Sequence, residues 1–331
     1  MAAYTTIDFP QQYFQVKTYT GNGGAQTIAF DDTDADTDPD LIWIKRSDGT
    51  TNHVVTDTVR TVDYQLHSNT TDADSNLTNN VTSTNADGFV VNTDGEVNAD
   101  GGAYVAWCWK ESATSGFDIV TWTGNDTART LSHSLSAVPE FIMLKQRSGT
   151  RDWAVYNVAK GNGQYMNLNA VGGSSASSTH WNSTTPTSSV FSVGTSNQVN
   201  EDTETYVGYL FAPKQGFSKF GSYTGNGNDD GPMIYLGFSP AWFMLKSTST
   251  NESWYIQDNQ RGVTNGDSKQ LLADGTGAES ATSTGQIDFV STGVKMREGD
   301  ACLNESGTVY TYAAFAYSPF VNSEGVPNNA V

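Results

Sequence analysis

The heptapeptide Pro39-Asp40-Leu41-Ile42-Trp43-Ile44-Lys45 recurs as Pro139-Glu140-Phe141-Ile142-Met143-Leu144-Lys145 and as Pro240-Ala241-Trp242-Phe243-Met244-Leu245-Lys246, 100 and then 101 residues further on. Each copy is a proline, a short apolar run and a lysine. Proline can begin a strand but interrupts its ladder, so each copy reads as a buried strand opened by the proline. Three core strands at a fixed period mean three copies of one folding unit.

Counting from each lysine extends the register without a gap. Eight residues on lie His53, Trp153 and Trp254; twelve on, Asp57, Asn157 and Asp258; fifteen on, Arg60, Lys160 and Arg261. The units also open alike, with Tyr19-Thr20-Gly21-Asn22, Trp122-Thr123-Gly124-Asn125 and Tyr223-Thr224-Gly225-Asn226, and close on an Asn followed six residues later by a Tyr: Asn98 and Tyr104, Asn200 and Tyr206, Asn304 and Tyr310. A period near 100 residues is too long for a solenoid, whose units run about 20–50 residues, and long enough for a unit to bury its own core. The expected organisation is an N-terminal arm over 1–13, repeats over 14–111, 117–214 and 217–318, and a tail over 319–331.

No segment carries the i, i+3, i+4, i+7 apolar spacing of a helix over three turns. Short β-branched and aromatic runs between Gly, Asn, Asp and Ser turns predict an all-β chain of three antiparallel, jelly-roll-like β-sandwiches. The first closing strand places Val105, Trp107 and Trp109 on one face and Tyr104, Ala106 and Cys108 on the other, which predicts burial on both sides. The polar runs Asp63 to Asp87, Gly161 to Ser189 and Gly262 to Gly285 read as long surface loops, and as candidate binding loops on a rigid frame.

A formal charge of −19 offers no basic patch for a phosphate backbone and argues against a nucleic-acid partner. No apolar stretch approaches 18 residues, and residues 1–13 have no secretory pattern, so neither membrane insertion nor a signal peptide is expected. Cys108 and Cys302 fall at non-equivalent places, which predicts no disulfide. The four histidines are scattered, no nucleophile elbow or phosphate loop is present, and neither a metal centre, a cofactor nor an enzyme is expected. Alternating aspartates over Asp31 to Asp38 read as a solvated acidic loop, with a calcium site as the alternative.

The best candidate for a shared binding site is the aligned set His53, Trp153 and Trp254 with Asp57, Asn157 and Asp258 and with Arg60, Lys160 and Arg261. An aromatic plate beside an amide or acid and a cation can hold a sugar, since the ring stacks on C–H groups and the polar atoms bond hydroxyls. The structural reading of the same set is an aromatic that fills the core and an acid–base pair that closes a turn.

Tyr19 to Gly23, Pro39 to Lys45, Asp57 to Arg60 and Tyr104 to Lys110, together with the opening Met1 to Thr20, resemble a family of repeated β-domains from marine tailed bacteriophages. The second repeat departs from the pattern at Asn157 and Lys160, and the third at Ala241 and in its closing strand. The resemblance implies a virion setting more than an activity. The expectation is a non-enzymatic structural protein on the virion surface, as head decoration or a compact tail component. It would be made in the host cytoplasm, bound to other capsid or tail proteins, and homo-oligomeric or lattice-bound. The alternative is an adhesin that recognises a host surface glycan.

Overall fold

The computed structural model describes residues 4–31, 37–262, 269–280 and 286–328. It is an all-β protein in which every strand pairing is antiparallel. The first sequence segment forms a six-stranded sheet in the order Phe14–Thr20, Ala103–Trp109, Leu41–Arg46, Val54–Asp57, Tyr64–Leu66 and Ser75–Asn76. The second forms the corresponding sheet in the order Phe117–Thr123, Thr205–Phe211, Phe141–Gln146, Ala154–Asn157, Gln164–Asn167 and Ser175–Ala176. In the third, the order is Ser218–Thr224, Val309–Pro319, Phe238–Ser247, Tyr255–Asp258 and Leu271–Leu272. A smaller sheet accompanies each large one, for example Gln26–Ala29, Gly88–Val91 and Val81–Asn85 in the first.

Alternation along the strands divides the interior into two kinds of core. Ile42 and Ile44 with Tyr104, Ala106 and Cys108 face the small sheet of their own segment, where Ile28, Phe89 and Val91 complete a sandwich. Leu41, Trp43, Val105, Trp107 and Trp109 point the other way, into a core shared with Phe141, Met143, Tyr209 and Phe211 of the second segment and Trp242, Met244 and Phe315 of the third. The two-sided burial expected of the closing strand is therefore real, but one side is covered by the other segments.

Trp109, Phe211 and Phe315 hold the same place in the three closing strands, and their rings meet pairwise with centroids 6.2, 5.6 and 5.5 Å apart. The three sheets therefore surround one aromatic centre.

Two local features differ from expectation. The third core strand starts upstream of its proline, at Phe238, and Pro240 sits at a bulge where the register with the closing strand shifts. A bulge is where a missing N–H can be accommodated. One-turn helices at Gly95–Asn98 and Asn197–Asn200 are too short to show in an apolar period, and are capped by Asp94 and Ser196. Residues 4–13 are not a free arm. Ile7 is buried in the shared core, and Tyr4 Oη and Thr5 Oγ1 donate to the carbonyls of Gly237 and Gln215 at 2.8 Å each. The tail folds back as well, with Ser323 N donating to Asp8 Oδ1 at 2.6 Å. Both cysteines are free thiols.

The Gly-Asn turns and the closing Asn and Tyr form one device, built three times. Buried Asn98 accepts from Asn22 N at 3.0 Å and donates to Asn92 O at 2.8 Å, while Tyr104 Oη accepts from Ala99 N and donates to Gly95 O. Asn200 with Tyr206 makes the corresponding bonds, and Asn304 with Tyr310 does so except that Asn304 Nδ2 donates across the turn, to Asn228 O. The turn lies so close to the chain beyond the Asn that a Cβ on Gly21, Gly124 or Gly225 would fall on the carbonyl oxygen of Ala99, Glu201 or Glu305. Glycine is required there by close approach of backbone. Gly124→Ala is expected to lower stability by about 1–3 kcal/mol in denaturant unfolding, the cost of overpacking a tight site.

Candidate functional site

The aligned residues that a sugar site would need lie at the junctions between the three sheets. Trp153 and Trp254 are 0% and 1% exposed, so neither ring has a face for a ligand. His53, Asp57, Asn157, Asp258, Arg60 and Arg261 are likewise buried, and Lys160 is half-buried. The expectation of stacking on these rings is corrected on that ground.

What the three aromatic positions do is join the segments in a cycle. Trp153 Nε1, in the second segment, donates to His67 O of the first at 2.9 Å, and Trp254 Nε1, in the third, donates to Asn167 O of the second at 2.8 Å. His53 closes the circuit, with its Nε2 2.9 Å from Leu272 O of the third. A second cycle runs through the backbone: Asp74 N donates to Arg147 O, Ser174 N to Thr248 O and Glu279 N to Ser47 O, at 2.8, 2.9 and 2.7 Å. His67, Asp74, Asn167, Ser174, Leu272 and Glu279 all lie in the runs expected to be surface loops. Those runs supply the edges of the junctions and are not wholly available for binding.

The acid–base pairs belong to the same joints. Asp57 Oδ1 accepts from Arg60 N at 2.8 Å and its Oδ2 from Arg60 Nε at 2.6 Å, which locks the turn that follows the strand. Tyr209 Oη of the second segment donates to the same Oδ2 at 2.7 Å and accepts from Arg60 Nη2 at 3.1 Å. Burial raises the Tyr209 phenol well above its ordinary range and keeps it protonated as the donor. In the third segment Asp258 binds Arg261 in the same manner, and its Oδ2 accepts from Trp107 Nε1 of the first at 3.0 Å. The Arg261 guanidinium lies over the Trp107 ring, 5.8 Å from its centroid.

Tyr209 and Trp107 were not among the candidate site residues, although a signal for them existed. They stand third after the closing Tyr in their segments, where the last segment has Ala313. Asp57 and Asp258 accept from donors of another segment, whereas the third closing strand has Ala313, which offers no donor, at the matching position. An amide costs less to bury than a carboxylate where no donor is supplied. Asn157 Nδ2 is in fact buried without a partner.

The lysines that end the core strands are buried too. Lys145 Nζ donates to Gln146 O at 2.8 Å and across the junction to Thr71 O at 3.0 Å, and Lys246 Nζ reaches Val171 O at 2.6 Å. Lys45 Nζ donates to Arg46 O and Gly49 O within its own segment. Burial pulls all three amines down to about 8.

Among the described residues no group of three or more His, Cys, Asp or Glu side chains is placed to hold a metal, and no helix is long and apolar enough to cross a membrane. Most of the acidic loop Asp31 to Asp38, and with it the calcium alternative, lies outside the described residues.

The model of a domain of unknown function (DUF7483) matches residues 9–319 in one span. The chain belongs to that family. No curated protein and no solved structure matches it. The matched span runs from the folded N-terminal residues to Pro319, where the last closing strand ends, so the family unit takes in all three large sheets.

Two outcomes follow from the junctions. Tyr209→Phe removes a buried hydrogen bond to a charged group and is expected to destabilise the protein by about 1.5–3 kcal/mol in chemical denaturation. His53 is fully buried, and Trp43 Nε1 donates to its Nδ1 at 2.8 Å, which fixes a neutral ring with its proton on Nε2. Burial first, then the positive charges of Lys45, Arg261 and His67, hold its pKa well below the ordinary imidazole value. The unfolded chain therefore takes up this proton first, and the stability due to a neutral His53 is complete above about pH 6.5 and is lost on acidification. The limiting slope is about 1.4 kcal/mol per pH unit, and the difference between wild type and His53→Gln in unfolding midpoints from pH 7.5 to 5 measures it.

Proposed function

We propose that this chain is a non-enzymatic structural protein of the surface of a tailed-phage virion. The observation that carries the reading is the use made of its polar residues. The acids, amides, aromatics and cations that recur in register are engaged in bonds that tie three sheets into one closed body. Such a body resists shear and local opening, because no sheet can leave without breaking contacts to both others. A net charge of −19 supports the same role, since like charge keeps a protein displayed at high density from associating with its neighbours. The phage setting itself rests on the resemblance of the Tyr19 to Gly23, Pro39 to Lys45 and Tyr104 to Lys110 motifs, and the compact form fits a decoration or adaptor better than a shaft.

Mass spectrometry of density-gradient-purified virions from the phage that encodes the chain tests this directly. The protein is expected at a fixed copy number relative to the major capsid protein and unchanged by a high-salt wash. Recovery only in the soluble lysate would overturn the proposal.

A further inference from the structure

Outside the aligned set, the second segment brings a hydroxyl, an imidazole and an amide into line. Ser177 Oγ lies 2.6 Å from His180 Nδ1, and His180 Nε2 lies 3.0 Å from Gln198 Oε1. Gln198 Nε2 donates to Asn167 Oδ1 at 2.9 Å, which turns the amide oxygen toward the ring. Ser196 Oγ, 3.4 Å from His180 Nε2, offers a further acceptor on that side. The ring proton therefore sits on Nε2, and the Nδ1 lone pair faces Ser177. Thr179 N donates to Ser177 Oγ at 3.2 Å, so the hydroxyl hydrogen is free to point at Nδ1. The Tyr165 ring stacks on the imidazole, 3.6 Å away and nearly parallel, and His180 is buried while Ser177 is half-buried.

The loop does not need these groups to fold. In the first segment Leu77, Asn80 and Gln65 stand where the second has Ser177, His180 and Tyr165, and Glu96 holds the place of Gln198 in the one-turn helix. The backbone bonds are the same in both. Leu77 N donates to Asp63 O at 2.8 Å and Ser177 N to Gly163 O at 2.9 Å, while Asn92 N donates to Asn80 O and Gly194 N to His180 O, both at 2.9 Å. Asn80 satisfies its site with an amide, which donates through Nδ2 to Gln65 Oε1. An imidazole in that place adds what an amide lacks, a basic lone pair on a hydroxyl. Nucleophile, base and orienting acceptor in hydrogen-bonded sequence are the arrangement that activates a serine.

We infer that Ser177 is a reactive serine that accepts an acyl group from an activated carboxyl compound, a thioester or an aryl ester, with His180 as its general base and Gln198 positioning the ring. Ser177 Oγ bonds to the carbonyl carbon as its proton passes to His180 Nδ1. The bond from that carbon to the leaving sulfur or oxygen then breaks, and His180 returns the proton to the leaving group. Burial holds the His180 pKa below its ordinary value of 6.5, against the smaller opposing effect of the Gln198 bond, so the ring is a free base at neutral pH. The Ser177 N–H is spent on Gly163 O and cannot stabilise an oxyanion, so the step depends on a good leaving group. The ester left on Ser177 has none and persists. Ser177 is thus a site of covalent modification, charged once, which is compatible with a structural protein and independent of its virion setting.

Acetylation of the full chain by p-nitrophenyl acetate, with the modified positions read by peptide mass spectrometry, is the deciding experiment. Ser175 and Ser178, exposed in the same loop and without a base, are the internal standard. Ser177 is expected to react about a hundredfold or more faster than either, the contribution of a positioned general base. His180→Asn puts the first segment's residue in that place, and is expected to remove the excess while leaving the melting curve unchanged. On the wild-type chain the rate at Ser177 is expected to rise with pH through a midpoint below 6.5. Gln198→Glu is expected to move that midpoint upward, because a carboxylate stabilises the imidazolium, a shift that a merely structural role would not produce. Reaction at Ser177 no faster than at Ser175 and Ser178, an undiminished rate in His180→Asn, or a wild-type rate without that pH dependence would overturn the inference.

Discussion

The contact among Trp109, Phe211 and Phe315 is the constraint on which the rest depends. Each ring stands in a closing strand that lies between the opening and core strands of its sheet, so placing three rings at one point orients three whole sheets. Aromatic pairs at these separations favour tilted and edge-on arrangements, and the observed interplanar angles of 62°, 72° and 66° are of that kind. Once the sheets are so placed, Trp43, Trp107, Tyr209 and Trp242 have no route to water, and their burial supplies the main driving force for association of the segments. The sandwich cores under the small sheets are then local matters.

Burying an aromatic core this large brings polar atoms with it, and the junctions show how they are accommodated. The indole N–H groups of Trp153 and Trp254 find backbone carbonyls of the preceding segment, and that of Trp107 finds the Asp258 carboxylate. Each bond is modest in net terms, but breaking one strands a buried donor or acceptor, which costs more than the bond contributes. The polar pairs therefore act as selectors of register between sheets more than as sources of stability. A shift of one residue would leave Asp57 facing an apolar side chain and Tyr209 without an acceptor.

The strands, turns and antiparallel class were legible because their signals are local. The Pro-to-Lys runs became the core strands, and the Gly-Asn turns and closing Asn and Tyr became one repeated clamp, for reasons of backbone approach that any reader of Gly124 could anticipate. The aligned Asp57, Asn157 and Asp258 do end corresponding strands. Their surroundings were not legible. An apolar alternation on both faces of Val105 to Trp109 states that both faces are covered without stating by what, and a tryptophan beside an acid has the same spacing whether a sugar or a neighbouring strand lies across it. The missing information was the pairing between copies, and its trace was the joint change from Asp57 and Tyr209 to Asn157 and Ala313. The polar runs misled for a related reason: the residues that reach across a junction do so largely with backbone carbonyls and amides, which composition cannot show.

Fusing the three segments in one chain also explains why the junctions differ from one another. In a trimer of identical chains every junction must carry the same residues, so an Asp at position 57 demands a donor in all three places. Within one chain each junction forms intramolecularly at high effective concentration and can change alone. Asn157 can do without a donor while Asp57 retains Tyr209, and His53 can stand in place of tryptophan at the junction between the first and last segments. Residues 4–13 add their own bonds to Gly237 and Tyr317 of the third segment. Part of the asymmetry therefore lies where the chain must close the ring, and residues 4–13, which are not repeated, reinforce that place.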